Sequence, residues 1–250
     1  MSIKLYSNRN SIIHNWDPRA RIVSLAILIV SIATLQSPSM AALGLALSLT
    51  ILVVSRISWW QVACNLRWPV LFLLLFLLML PLTVNGRSIA SFSILSVSFE
   101  GMRLGLSIFL KGLAAVILAQ VLLASCPFSV TALAMKDLGV PNSLVQIFLF
   151  AYRYIDLLAQ DLTTTFRSLS ARGFERRSNA RTAKVYGNAL GALLISSILR
   201  SERIFLSLVS RCYSGQLTTG REWSMNLWDW TKCAIVLVIA LALHFVETLA

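Results

Sequence analysis

The side chains that most often do chemistry are sparse in this sequence and poorly placed for it. There are two histidines, His14 and His244, and four cysteines, Cys64, Cys126, Cys212 and Cys233, whose separations match no metal-ligand spacing. The cysteines read as small apolar residues or free thiols, and His244 as a satisfied or interfacial side chain. A His-Glu-x-x-His helix is missing, and so is a Gly-rich loop running into Gly-Lys-Ser/Thr, so the chain lacks the means to hydrolyse ATP unaided. Asp156 and Asp161 do not form the Asp-Asp-x-x-Asp pattern of a prenyl-diphosphate site. No His, Ser or paired carboxylates are placed as an intramembrane protease would need them. The reading is of a protein without a catalytic site and without a metal or cofactor of its own.

What remains is arginine in a repeated context. Ser168-Leu169-Ser170-Ala171-Arg172-Gly173-Phe174 recurs 39 positions later as Ser207-Leu208-Val209-Ser210-Arg211-Cys212-Tyr213. The shared pattern is small residue, Arg, small residue, aromatic. An arginine is permanently charged and can grip a carboxylate with two parallel hydrogen bonds, so the chemistry on offer is recognition of an acidic partner. A bland reading competes. Helices commonly end in a basic residue followed by Gly in the left-handed position, which accounts for Arg172 and Gly173 but less well for Cys212.

Each copy lies at the end of a long amphipathic helix. Leu144, Phe148, Ala151, Ile155, Leu158, Leu162, Phe166 and Leu169 alternate steps of three and four, with Arg153, Asp156, Gln160, Thr163, Thr164 and Arg167 opposite. A second helix carries Leu190, Leu194, Ile198, Phe205 and Leu208 on one side and Arg200, Arg203, Ser207 and Arg211 on the other. At about 100° per residue, Arg200 and Arg211 fall within roughly 20° of each other, which makes Arg200 and Arg203 candidate supporting residues. A shorter helix, Ser129 to Leu138, precedes them and is stopped by Gly139 and Pro141. These helices are too polar to span a bilayer and read as cytoplasmic.

The rest of the chain is apolar. Hydrophobic residues make up 57% and charged residues only 13% of 250, a balance that requires lipid-facing surface. About five runs approach the roughly 20 residues of a span: Ile22 to Leu35, Met40 to Val54, Trp68 to Val84, Leu104 to Leu123 and Trp228 to Leu249. The first is preceded by Asp17, a good N-cap, and Pro18, suited to the first helical position. Its long polar leader argues against a secretory signal peptide. Trp59, Trp60 and Trp68 read as belt anchors at the membrane surface. The fold class is therefore an all-α polytopic membrane protein. Residues 1–123 form a leader and four spans, 124–227 a cytoplasmic helical region, and 228–250 a final span.

Lys and Arg counts orient it. Eighteen would lie inside and two, Arg87 and Arg103, outside, which puts the N-terminus in the cytoplasm and the C-terminus outside. Twelve of the 22 Lys and Arg residues, and half of the net charge of +12, then belong to the cytoplasmic region. Anionic lipid, nucleic acid and a docked protein all compete for it; nucleic acid fits worst, because no recognition motif accompanies the charge.

At these residues the chain resembles the transmembrane (T) components of energy-coupling-factor importers, which carry two Ala-Arg-Gly-type motifs at the ends of cytoplasmic coupling helices. Ala171-Arg172-Gly173 matches outright; Ser210-Arg211-Cys212 keeps only the arginine. Asp17-Pro18-Arg19-Ala20-Arg21 resembles the family's Asp-Pro-Arg-x-Lys stretch, and Arg200-Ser201-Glu202-Arg203 the stretch ahead of its second motif. The resemblance implies two cytoplasmic ABC-type ATPase subunits, with ATP and Mg bound on them, docked at the two motifs. It also implies a separate substrate-binding membrane (S) subunit, in a bacterial inner membrane. The segment Ser11 to Pro18 and the chain length look most like the cobalt-transporting CbiQ type, with a CbiM-like S subunit; nickel or a vitamin such as biotin is the alternative cargo. An ordinary ABC permease would show a Glu-Ala-Ala loop with a downstream Gly, and a secondary transporter inverted repeats with charged or broken spans. Neither pattern is found here.

Overall fold

The computed structural model describes residues 16–55, 57, 59–84, 88–92, 95–175, 177–213, 215 and 227–249. The chain divides into two compact units. One comprises Met1–Ala134 and Trp223–Ala250, the other Met135–Glu222.

In the first unit the apolar runs are helices: α1 (Pro18–Thr34), α2 (Pro38–Val54), α3 (Trp59–Thr83), α4 (Phe99–Ala124) and α8 (Leu227–Leu249). Val62–Thr83, Phe99–Ala124 and Trp228–Thr248 are long and apolar enough to cross a membrane. Helices α1 and α2 have 17 residues each, about 25 Å, at the short end of what a bilayer requires. Asp17 caps α1 by accepting the Arg19 N–H at 2.9 Å, and Pro18 takes the first helical position. Helix α3 starts nine residues before the expected Trp68 and runs through Pro69 and Pro81. Arg67, one residue ahead of the expected start, thus lies within α3, its guanidinium 5.5 Å from the Trp68 ring centre. A hairpin of β1 (Ser88–Phe92) and β2 (Leu95–Ser98), absent from the expected all-α layout, lies between α3 and α4. Ser98 then caps α4 by accepting the Gly101 N–H.

Two kinds of contact hold this unit. The first is close packing: Leu25, Leu28 and Ile32 of α1 meet Leu52 of α2 and Ala114, Ile117, Leu118 and Val121 of α4 in a buried cluster. Helices α3 and α4 approach so closely that a Cβ on Gly101 would sit 2.6 Å from the Leu80 carbonyl oxygen, the small-residue contact by which helices associate without a hydrophobic driving force. The second is a polar seam between α1 and α8. Ser24 Oγ donates to Cys233 Sγ (3.1 Å), Ser31 Oγ to the Ala240 carbonyl (3.2 Å), Thr34 Oγ1 pairs with His244 Nε2 (3.1 Å), and the Glu247 carboxylate accepts the N–H groups of Gln36 and Ser37. Partners stay 209 to 211 residues apart along the whole seam, so α1 and α8 run parallel. His244 is satisfied within this seam; His14 lies outside the described residues. Where the seam begins, Trp16, Asp17, Arg21 and Asp229 are all buried, and Lys232 Nζ lies 3.7 Å from Asp229.

Helix α5 (Phe128–Asp137) leads into the second unit and stops as expected. Gly139 adopts φ +99°, and the N–H groups of Gly139 and Val140 bond back to Lys136 and Met135. Helices α6 (Asn142–Ala171) and α7 (Ala180–Val209) follow, 30 residues and about 45 Å each. They run antiparallel, since Gln146 meets Tyr213, Asp161 meets Arg200 and Phe166 meets Tyr186. Their apolar stripes are largely uncovered: Ile147, Phe148 and Ile155 on α6, and Leu194, Ile195, Ile198 and Phe205 on α7 are all half or more exposed.

Candidate functional site

The two repeated segments end α6 and α7 with the same backbone. Ala171 is the last residue of α6 and Arg172 its cap, at φ −87° and ψ 16°; Gly173 follows at φ +77°. The Phe174 N–H reaches back to the Leu169 carbonyl (3.1 Å) and the Gly173 N–H to that of Ser170 (3.1 Å). At the other end the Tyr213 N–H bonds the Leu208 carbonyl (3.1 Å) and the Cys212 N–H that of Val209 (3.0 Å), with Cys212 at φ +57°. Both pairs are the six-to-one and five-to-two bonds of a Schellman closure, which satisfies carbonyls the helix would otherwise leave bare. Arg172 and Arg211 occupy the same place in it, as do Gly173 and Cys212, and Phe174 and Tyr213. In each copy the small residues and the arginine are exposed and the aromatic is half-buried.

Cys212 is the one non-glycine residue with positive φ among those described. The left-handed region costs an L-residue roughly 1–2 kcal/mol, so the repeat is kept at the second end against local preference. A repeat of backbone form at that cost is more than a run of helix-stop residues requires.

The two ends are fastened differently. Phe174 packs edge-on against Tyr186 of α7 (centroids 6.0 Å), and Tyr186 against Phe166 of α6 (5.0 Å). Tyr213 instead donates its hydroxyl to the Gln146 side-chain oxygen at the start of α6, while the Gln146 Nε2 donates to the Gly215 carbonyl at 2.8 Å. Gln146 and Tyr186 hold the two turns and were missed by sequence reading, because nothing in helical periodicity links residue 146 to 213 or residue 186 to 174.

Arg200 and Arg203 do not join the ends. Arg200 pairs with Asp161 of α6 at 2.8 Å, tying the two helices at mid-length, and Arg203 Nε donates to the Leu199 carbonyl of its own helix at 3.3 Å. The near coincidence of Arg200 and Arg211 on a helical wheel fails for a physical reason: α7 ends at Val209, and Arg211 lies in the closing turn, where the wheel no longer applies. The Arg200–Asp161 pair, about one-third exposed, contributes at most about 1 kcal/mol.

Residues 9–220 match the family described as CbiQ, cobalt transport protein. The chain belongs to the CbiQ family. It is also similar to two proteins named energy-coupling factor transporter transmembrane protein EcfT. One, from Staphylococcus aureus, is 28% identical over 95% of this chain and 94% of the relative; the other, from Thermanaerovibrio acidaminovorans, is 26% identical over 97% and 94%. A third relative, a putative ABC transporter ATP-binding protein of Bifidobacterium longum, is 23% identical over 82% of this chain but only 28% of its own length. As a CbiQ-family member the chain is a membrane component of a transporter and not an enzyme. The two arginine-bearing ends are its most distinctive local feature outside the membrane helices, and among the described residues no three His, Cys, Asp or Glu side chains gather where they could hold a metal ion.

Proposed function

We propose that this chain is the transmembrane coupling subunit of an ATP-driven energy-coupling-factor importer, and that Arg172 and Arg211, with Ala171, Gly173, Ser210 and Cys212 around them, each dock one of two ABC-type ATPase subunits. The observation that carries the reading is the recurrence of one backbone closure at two helix ends 39 residues apart. A dimer of similar ATPases presents two similar grooves, and a single chain needs two similar plugs. The Bifidobacterium relative supports the pairing, since a segment similar to this chain occupies part of a protein named for ATP binding.

ATP-driven closure of the dimer would bring the two docks together. Helices α6 and α7 are long, antiparallel and joined at few points, so they would transmit that movement as levers. Their uncovered apolar stripes would meet lipid and the substrate-binding membrane subunit, CbiM-like if the cargo is cobalt. ATP and Mg would sit on the ATPases, none on this chain. On the charge tally the N-terminus would be cytoplasmic and the C-terminus outside, in a bacterial inner membrane, and the parallel course of α1 and α8 supports that reading. Cobalt is the leading cargo because the family is described as cobalt transport proteins. The EcfT relatives carry no cargo in their names, so nickel or a vitamin is the second reading.

Co-purification of the ATPases with the detergent-extracted chain, followed by radiolabelled cobalt uptake in liposomes, tests this. ATP-independent transport by the chain alone would defeat the coupling role. Uptake of a vitamin and no metal would defeat only the choice of cargo. Metal analysis of the isolated subunit should find no stoichiometric ion.

A further inference from the structure

Beside the first helix end lies a hollow of about 350 Å³, lined among the described residues by Thr163, Phe166, Arg167 and Ser170. These four positions step by three, one and three along α6 and so share one face. Phe166 is fixed there by the Tyr186 ring. The two hydroxyls have already spent their hydrogens on their own helix, Thr163 on the Ala159 carbonyl (2.7 Å) and Ser170 on that of Phe166 (3.0 Å). Arg167 is different. Among the described residues its exposed guanidinium meets no carboxylate within ion-pairing distance, so the hollow offers one charged, fork-shaped donor and no competing acid.

We infer that this hollow receives a carboxylate side chain of the ATPase docked at the first helix end, with Arg167 as its partner. That end is then a two-point joint, Arg167 and Arg172, where the second end is held at Arg211 alone. The inference rests on the docking role proposed above. Charge favours it: Arg172, Arg181 and Lys184 lie exposed near the first end and Glu175 is taken by Arg177 at 2.6 Å, whereas Arg203 and Arg211 near the second end are accompanied by Glu202. The surface also favours a protein over a bilayer. On α6 the exposed large apolar side chains stop at Leu157. Beyond it Leu158, Leu162, Phe166 and Leu169 are half-buried, and the exposed residues are small, polar or charged: Ala159, Gln160, Thr163, Thr164, Arg167, Ser168, Ser170 and Ala171.

The test uses the assembled complex. Retention of the ATPases is measured against salt concentration for Arg167→Glu, Arg167→Lys, Arg172→Ala and Arg211→Ala, and purified coupling subunit is floated with vesicles containing phosphatidylglycerol. Arg167→Glu should weaken retention roughly tenfold and Arg167→Lys less, because an ammonium keeps the charge but loses the bidentate grip. Salt should weaken wild-type docking at the first end, read in Arg211→Ala, more steeply than docking at the second, read in Arg172→Ala. If Arg172→Ala and Arg211→Ala reduce retention while Arg167→Glu does not, the hollow is not a dock, though the docking role stands. If neither Arg172→Ala nor Arg211→Ala has any effect, the docking role itself falls. Arg167→Glu that loses vesicle binding but keeps its ATPases assigns the hollow to a lipid phosphate and overturns the proposal.

Discussion

The ends of α6 and α7 share one backbone and reach it by opposite routes. At the first, Gly173 enters the left-handed region freely and the turn is steadied by aromatic packing of Phe174 on Tyr186. At the second, Cys212 enters the same region at a cost, and a chain of hydrogen bonds from Tyr213 through Gln146 to Gly215 holds it there. One end is permitted by its residue and the other is enforced by its neighbours. The form common to both is what the proposed docking role uses, and the fastenings differ.

The largest effect expected is at the arginines. Either Arg172→Ala or Arg211→Ala should weaken ATPase association or coupled ATP hydrolysis, and the double variant should abolish uptake, since neither helix-end arginine would remain. Uptake at the wild-type rate by a correctly inserted double variant would end the claim that the shared form is a dock.

Asp17→Ala supplies the contrast from the membrane unit. There a side chain caps a helix start and touches no proposed dock, so removing it should cost about 0.5–2 kcal/mol of stability while leaving ATPase association unchanged. Thermal unfolding in detergent and co-purification measure the two halves of that statement. Loss of the ATPases from a folded Asp17→Ala variant would mean that docking is not confined to the α6 and α7 ends.

Breaking the fastening at one end alone sharpens the comparison further. Tyr213→Phe keeps the ring and removes the hydroxyl that Gln146 accepts, which should cost about 0.5–1.5 kcal/mol at that turn. Hydrogen exchange should speed at the Cys212 and Tyr213 amides and not at Gly173 and Phe174. Equal acceleration at both ends would show that the two turns open as one unit.

How far the sequence foretold this follows from the range of the interactions involved. Local signals were legible: Asp17-Pro18 starts α1, Gly139 ends α5, and the periodicity from Leu144 gives α6. The echo around Arg172 and Arg211 was visible as residue types, and Gly173 announces the first turn, whereas nothing in the residue type of Cys212 announces the left-handed turn at the second. Contacts between distant segments were not legible. Three serine or threonine residues in an apolar α1 do not reveal that their partners lie some 210 residues on in α8, nor does Gln146 reveal Tyr213. The start of α3 was hidden because Gln61, Asn65 and Arg67 dilute the apolar pattern ahead of Trp68, although the helix already runs from Trp59 and Val62 joins the buried cluster with α1, α2 and α4. The β1–β2 hairpin was missed because the alternation of Leu95-Ser96-Val97-Ser98 is only four residues long and lies between long apolar runs.

The finest test exchanges the two left-handed residues, because it separates backbone form from side-chain chemistry. Gly173→Ala puts a Cβ at φ +77° in otherwise open space, so nothing but backbone strain opposes it, and the first turn should lose about 1 kcal/mol. Cys212→Gly removes the same kind of strain at φ +57°. Glycine's extra freedom in the open state offsets part of that gain, so the second turn should gain somewhat less than the first loses. Amide exchange at Phe174 should therefore quicken about fivefold in Gly173→Ala, the ratio that 1 kcal/mol represents, and exchange at Tyr213 should slow by a smaller factor in Cys212→Gly. ATPase association should follow the turns, weaker in the first variant and unchanged or stronger in the second. If Cys212→Gly instead abolishes docking while its turn stays closed, the thiol itself is read by the partner, and the two ends differ in chemistry as well as in fastening.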